Sequence, residues 1–197
     1  NQPGVKVQRP EGFEGDLAER VRRLPGVVST TVMDPVPLFF GGRFAHYRTE
    51  GRGAEPMGHA SVGLQYFATM RIPLIAGRDF APTDTTTAPA VAIVNETMAR
   101  RFWPNANAVG QRLHDFDEPL EVIGVARDAK YRSLSEAAQP WVYRPITQMP
   151  STNVTLSLAV RTTGDPTAFQ AVVKREVKSL VPNWPAFRFR MLDEGLV

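Results

Sequence analysis

The last third of the chain constrains the fold most. From Asn153 to Arg161 the sequence alternates, with Val154, Leu156, Leu158 and Val160 against Thr155, Ser157, Ala159 and Arg161. That is the period of a strand with one buried face. Asp165 and Pro166 then supply a cap and a proline suited to the first helical position. Phe169, Val172, Val173, Val177, Leu180 and Val181 recur at helical spacing until Pro182 stops the helix. Ala186 to Leu192 alternates again, Phe187, Phe189 and Met191 against Arg188 and Arg190. Strand, amphipathic helix and a second half-solvated strand make a β-α-β unit. The expected class is therefore α+β, with mixed or antiparallel pairing.

A related pattern opens the chain. Glu14 to Leu24 reads as an amphipathic helix with Leu17, Val21 and Leu24 on one face, ended by Pro25-Gly26. Val27 to Met33 reads as a strand broken at Asp34-Pro35. Leu24-Pro25-Gly26-Val27 is echoed by Val181-Pro182-Asn183-Trp184. Related units at the two ends are expected to pair into one subdomain, with the middle inserted as a second. Between them, Arg43 to Arg48 and Ala60 to Gly63 read as short strands, Leu64 to Met70 as a short helix and Ile72 to Ile75 as extended. Ala81 to Pro89, rich in Thr, Pro and Ala with Asp84 its only charge, carries a linker signature. Beyond it, Ala90 to Val94 reads as a buried strand, and Asn95 as the cap of a helix from Glu96 to Trp103. Arg112 to Phe116, Leu120 to Ala126 and Trp141 to Arg144 read as further strands.

Composition narrows the functions available. With 43% hydrophobic and 22% charged residues, the 197-residue chain is of the folded, core-forming type. It has no cysteine, which excludes disulfides and thiolate metal sites. No apolar run reaches the roughly 20 residues of a membrane helix. The net charge of +3 is spread thinly, without the cationic stripe that a nucleic-acid surface needs, so no nucleic-acid partner is expected.

Chemistry is hard to find. His46, His59 and His114 lie in different elements without metal-ligand spacing. A triad could still assemble in space, but no Gly-x-Ser-x-Gly elbow occurs. Gly41-Gly42 and Gly51-Arg52-Gly53 lack the helix and lysine of a phosphate loop and read as turns. Asp115, Asp117 and Glu118 could hold a cation or act as acid and base, yet read more simply as a solvated turn. Asp34 reads as the end of a strand. Tyr66-Phe67, Phe102-Trp103 and Trp141-Tyr143 read as aromatics pinning subdomain cores. No catalytic, cofactor-binding or metal-binding residue is assigned.

Several segments, in order, resemble the extracytoplasmic core domain of MacB-type ABC-transporter permeases. They are Leu24-Pro25-Gly26-Val27-Val28, Val62 to Phe67 followed by Ile72 to Phe80, Ala92 to Phe102, Val109 to Leu113, Val122 to Asp128, and Tyr143-Arg144-Pro145. Their wording is nearest to the large permease subfamily that lacks a fused ATPase. The resemblance implies a porter-like α+β subdomain from residues 1–80 and 151–197, and an inserted, mainly β subdomain with one short helix at 81–150. It implies a domain on the periplasmic side of a bacterial inner membrane, with transmembrane helices flanking both ends. A cytoplasmic ABC ATPase subunit would act on it indirectly through those helices. A second permease copy would accompany it, and a periplasmic adaptor could dock on it. Its implied role is mechanical, passing ATP-driven helix motion outward to drive export or extraction, without catalytic residues or a cofactor of its own. The competing readings are a stand-alone periplasmic binding module and a hydrolase built on one of the three histidines.

Overall fold

The computed structural model describes residues 12–38, 42–116, 118–149 and 156–180. In chain order the elements are α1 (Phe13–Arg22), β1 (Val27–Asp34), β2 (Arg43–Thr49), β3 (Glu55–Val62), α2 (Tyr66–Met70), β4 (Leu74–Gly77), β5 (Val91–Asn95), α3 (Glu96–Phe102), β6 (Arg112–Asp115), β7 (Glu118–Ala126), β8 (Trp141–Pro145), β9 (Ser157–Thr162) and α4 (Gln170–Leu180). The class is α+β with mixed pairing, as the alternation at the chain's end implies: β3–β8 and β5–β7 are parallel, and the remaining pairs are antiparallel. The expected final strand at Ala186 to Leu192 lies outside the described residues.

Two units are visible in the pairing. In the first, β1 lies against β9 along its length, Val27 opposite Thr162 through Met33 opposite Ser157. Leu17 and Val21 of α1 and Val173 and Val177 of α4 are buried together, with Leu156, Leu158 and Val160 packed on them. The predicted stripe of α4 and the predicted face of β9 thus meet. Burying each such aliphatic side chain is worth about 1.5–3 kcal/mol, which is what holds two short helices on a two-stranded sheet. At the start of α4's segment, Asp165 accepts a hydrogen bond from the Thr167 amide and Pro166 takes the first position of a 3-10 turn, the arrangement its sequence predicts.

The second unit is a ring. Strand pairing runs β2–β6–β7–β5–β8–β3, and β3 also pairs with β2, so six strands close on themselves without a free edge. Inside lie Tyr47, Met57, Ala92, Val94, Leu113, Leu120, Val122 and Val142, a set drawn from every strand of the ring, with Met98 and Phe102 of α3 packed among them. Outside the ring, Tyr66, Phe67, Phe80, Tyr131, Trp141 and Tyr143 form a second cluster that also takes in Met33 of β1 and Ala159 of β9. These aromatics therefore do join the two units, whereas Phe102 belongs to the ring interior. Gly58 is required here, since a β-carbon on it would sit 1.8 Å from the Trp141 ring.

Strand pairing is not confined to either side of residue 80: β2 and β3 pair with β6 and β8, and β4 pairs with β7. β3 joins both units, with Ser61 and Val62 opposite Asp34 and Met33 of β1. Nor is Ala81 to Pro89 a free linker. Asp84 is buried, and the carbonyls of Asp84, Thr85 and Pro89 accept hydrogen bonds from Thr147 and Gln148. No helix among the described residues is long and apolar enough to cross a membrane.

Candidate functional site

Polar groups gather at three places, and the ring interior holds the first. Arg144 follows Val142 by two residues on β8 and so shares its face; its side chain is only 4% exposed. Its guanidinium donates to Asp115 at 2.7 Å and to Glu118 at 2.8 Å. Asp115 and Glu118 stand opposite each other across the β6–β7 hairpin. Glu118 and Phe116 are exposed, as a solvated turn implies, and Asp117 lies outside the described residues; the turn also clasps a cation, since removing Arg144 from water is tolerable only because two carboxylates meet it.

Beside this clasp, Tyr47 and His59 share a 2.6 Å hydrogen bond through the hydroxyl and Nδ1, and His59 Nε2 lies 3.2 Å from the Ser61 hydroxyl. Burial, reinforced by the nearby charges of Arg144 and Arg43, pushes His59 down to about 4. Burial likewise pushes the Tyr47 phenol up. All three groups are thus neutral at pH 7. A serine beside a histidine is the start of a nucleophile–base pair, but a base this weak activates a hydroxyl poorly. Ser61 and Tyr47 are also sealed, at 1% and 0% exposure. The trio orders the interior by satisfying its own polar groups.

The other candidates are dispersed. His46 is exposed on β2, and His114 lies on β6 opposite Arg48, so the three histidines do not converge. Asp34 ends β1 and pairs with Arg43 at 3.0 Å. Gly51, Arg52 and Gly53 lie between β2 and β3, where the Arg52 guanidinium sits 5.1 Å above the Phe102 ring. Among the described residues no three His, Asp or Glu side chains are grouped to hold a metal ion.

The second place is the corner at Gly77-Arg78-Asp79-Phe80. Gly77 has φ +74°, and a β-carbon there would fall 2.1 Å from the Ile123 carbonyl oxygen, so only glycine lets β4 close on β7. Arg78 then grips Asp84 with two bonds of 2.9 Å, holding the Asp84 carboxyl below its usual range. Asp79 accepts from the Phe80 amide at 2.7 Å, and Phe80 is buried in the aromatic cluster. Each residue of the motif has a packing or bonding task.

Asn95 centres the third. It caps α3, its Oδ1 accepting from the Met98 amide at 3.0 Å and from the Trp141 amide at 2.9 Å. Its Nδ2 donates to Asp128 at 2.6 Å and to the Gln139 carbonyl at 2.8 Å. Asp128 also accepts from the amide and hydroxyl of Thr97. The cap was legible from sequence; the partners Asp128, Asp84 and Arg144 were not, because nothing local marks which distant group a charge will meet.

Among the described residues, then, a closed mixed ring is joined to a helix-covered sheet, and the charged groups of the three places pair within the domain. The chain belongs to the family of MacB-like periplasmic core domains, whose model matches residues 2–176. It is accordingly a periplasmic, extracytoplasmic domain of an ABC transporter permease, in a family of transporter domains rather than of enzymes. Its fold is similar to that of the periplasmic region of MacB from Actinobacillus actinomycetemcomitans, at 17% identity and TM-score 0.63, over 85% of this chain and 73% of that one. It is also similar to the extracellular domain of the ABC-type transporter YknZ from Gram-positive bacteria, at 15% identity and TM-score 0.59, over 87% of this chain and 85% of that one. A search of curated protein sequences finds no match.

Proposed function

We propose that this domain is a rigid lever, carrying the motion of membrane helices outward when an ABC ATPase partner in the cytoplasm hydrolyses ATP, and so driving export or extraction. In this reading, membrane helices flank the domain and a second permease copy carries its counterpart; the ring and the chain-end sheet are its two subdomains. The observation that carries the reading is β3, which pairs with β2 and β8 in the ring and with β1 in the chain-end sheet. Force applied at one unit reaches the other through hydrogen-bonded backbone rather than through a hinge.

The test uses the full permease with its ATPase in proteoliposomes. The domain has no cysteine, so a cysteine at Val28, 55% exposed, reports on the chain-end unit, and one at Leu134, 54% exposed, on the ring side. With dyes at both sites of one copy, trapping the ATPase in a nucleotide-bound state should leave the distance unchanged. With one dye per copy, the same trapping should change the distance between copies. A flexing domain, or copies that never move relative to one another, would end the reading.

A further inference from the structure

Register sorts the ring interior into an apolar end and a polar mouth. Two positions on from Met57, Leu113 and Val142, and two before Leu120, the same strand faces carry His59, Asp115, Arg144 and Glu118. Pairing gathers these at one end, with Arg43 opposite His59, Ser61 opposite Arg144 and Asp115 opposite both Tyr47 and Glu118. Met98 and Phe102 of α3 pack among the apolar side chains instead. Water reaches the mouth, since the side chains of Glu118 and Arg43 are 52% and 46% exposed. His59, at 9%, lies just inside. Every neighbouring strand turns a polar group toward it: Ser61 from its own β3, Tyr47 and Arg43 from β2, Arg144 from β8, Asp115 from β6 and Glu118 from β7. Asp34 of β1 stands opposite Ser61. The carboxylates are already committed, Asp115 and Glu118 to Arg144 and Asp34 to Arg43. A proton on His59 therefore adds a third cation beside two arginines. It also upsets the hydrogen bonds. The neutral ring accepts from one of the Tyr47 and Ser61 hydroxyls and donates to the other. The protonated ring can only donate, so one hydroxyl must turn its hydrogen away inside a sealed interior.

We propose that His59 is an acid-operated release for this mouth, whose protonation parts β2 from β6 and frees the β6–β7 turn while the apolar end and the chain-end sheet stay closed. The β2–β6 seam is short, running only from Tyr47 to Thr49 against Leu113 to Asp115. β5 meets β8 over fewer residues still, but Asn95 bonds across that pairing to the Trp141 amide and the Gln139 carbonyl. Tyr47 links the histidine to the weaker seam. It stands opposite Asp115, and its hydroxyl bonds to the His59 ring. The apolar end is held by Met57, Val94, Leu113, Val122, Met98 and Phe102, and the helices of the chain-end unit by aliphatic side chains and Phe13. Burial of such groups does not change with pH. The release stands apart from the lever reading, since a domain that transmits no motion could still open here in acid.

The experiment is peptide-resolved amide exchange on the full permease at about pH 7 and about pH 4.5, corrected for the intrinsic effect of pH on exchange. Amides at 46–49 and 113–116 should lose protection by roughly fifty-fold in acid. That factor is the difference in proton binding between an open His59 at 6.5 and a closed one at about 4. Amides of β1 and β5 should change by less than about threefold. His59→Gln can still bond to both hydroxyls but takes no proton, so it should abolish the local response. Arg43→Gln is a second probe at a half-exposed position, in case the first variant fails to fold. Without that cation the closed His59 is easier to protonate, so the acid response should shrink below that of the wild type. Protection lost equally from every strand, protection kept at 46–49 and 113–116, or an undiminished response in either variant would overturn the proposal.

Discussion

His59 makes the stability of the ring depend on pH. Its ordinary value of 6.5 falls to about 4 in the folded chain, burial being the main cause and Arg144 and Arg43 adding to it. Between those values the unfolded chain binds a proton that the folded one refuses. Stability from this residue is complete above about pH 6.5 and is lost as pH falls through the window to about 4. At about 1.4 kcal/mol per pH unit, the loss is on the order of 3 kcal/mol. His59→Gln should flatten this slope whatever constant offset it adds. Chemical denaturation of both proteins at pH 7 and pH 4.5 reads the difference, and parallel pH profiles would refute it. At this scale the sequence was legible where chemistry is local. Asn95 precedes an apolar-periodic run and is a cap; Asp165 precedes a proline and is another. Arg144 was not legible, because its carboxylates lie 29 and 26 positions away and the fold alone brings them within reach.

Elements were read with similar asymmetry. α1, β1, α3, β9 and α4 follow from periodicity and stop signals, and their observed bounds depart from expectation by a residue or two at most ends. β3 begins at Glu55 rather than Ala60, because Glu-Pro-Met-Gly-His carries no β-branched residue to announce a strand. Its pairing with β2 supplies what propensity does not. The segment at 81–89 looked loose because Thr, Pro and Ala dominate it, yet the ion pair of buried Asp84 with half-exposed Arg78 and two side chains downstream fix it. α4 offers the sharpest test of an element. Val173 is 7% exposed against Phe13, Leu17 and Val21, so Val173→Asp buries an unpaired charge. The cost should be at least several kcal/mol, seen as loss of helical signal from the chain-end unit and a collapse of the denaturation midpoint. An equally stable variant would mean that this helix turns another face to the sheet.

At the scale of the whole molecule, sequence gave the class and, through resemblance, the family, but not the closure of the ring. Closure depends on pairs such as β3 with β8 and β2 with β6, whose partners lie far apart along the chain, and local pattern carries no record of them. One ladder running β9–β1–β3–β8 predicts a single cooperative unit. Native-state amide exchange should therefore give β1, β3 and β5 one common opening free energy. A chain-end sheet that opens several kcal/mol before the ring would show that the two units are energetically separate.

The shared strand also limits how this polypeptide can be cut or recombined. Splitting the chain near residue 80 would strip the upstream half of β6 and β8 and leave the downstream half an opened cylinder. Both pieces would bear raw hydrogen-bonding rims prone to stick to one another and to themselves. Grafting between homologues should instead exchange the cylinder together with β2 and β3, joined to the recipient through the turn before β2 and the stretch ahead of β9.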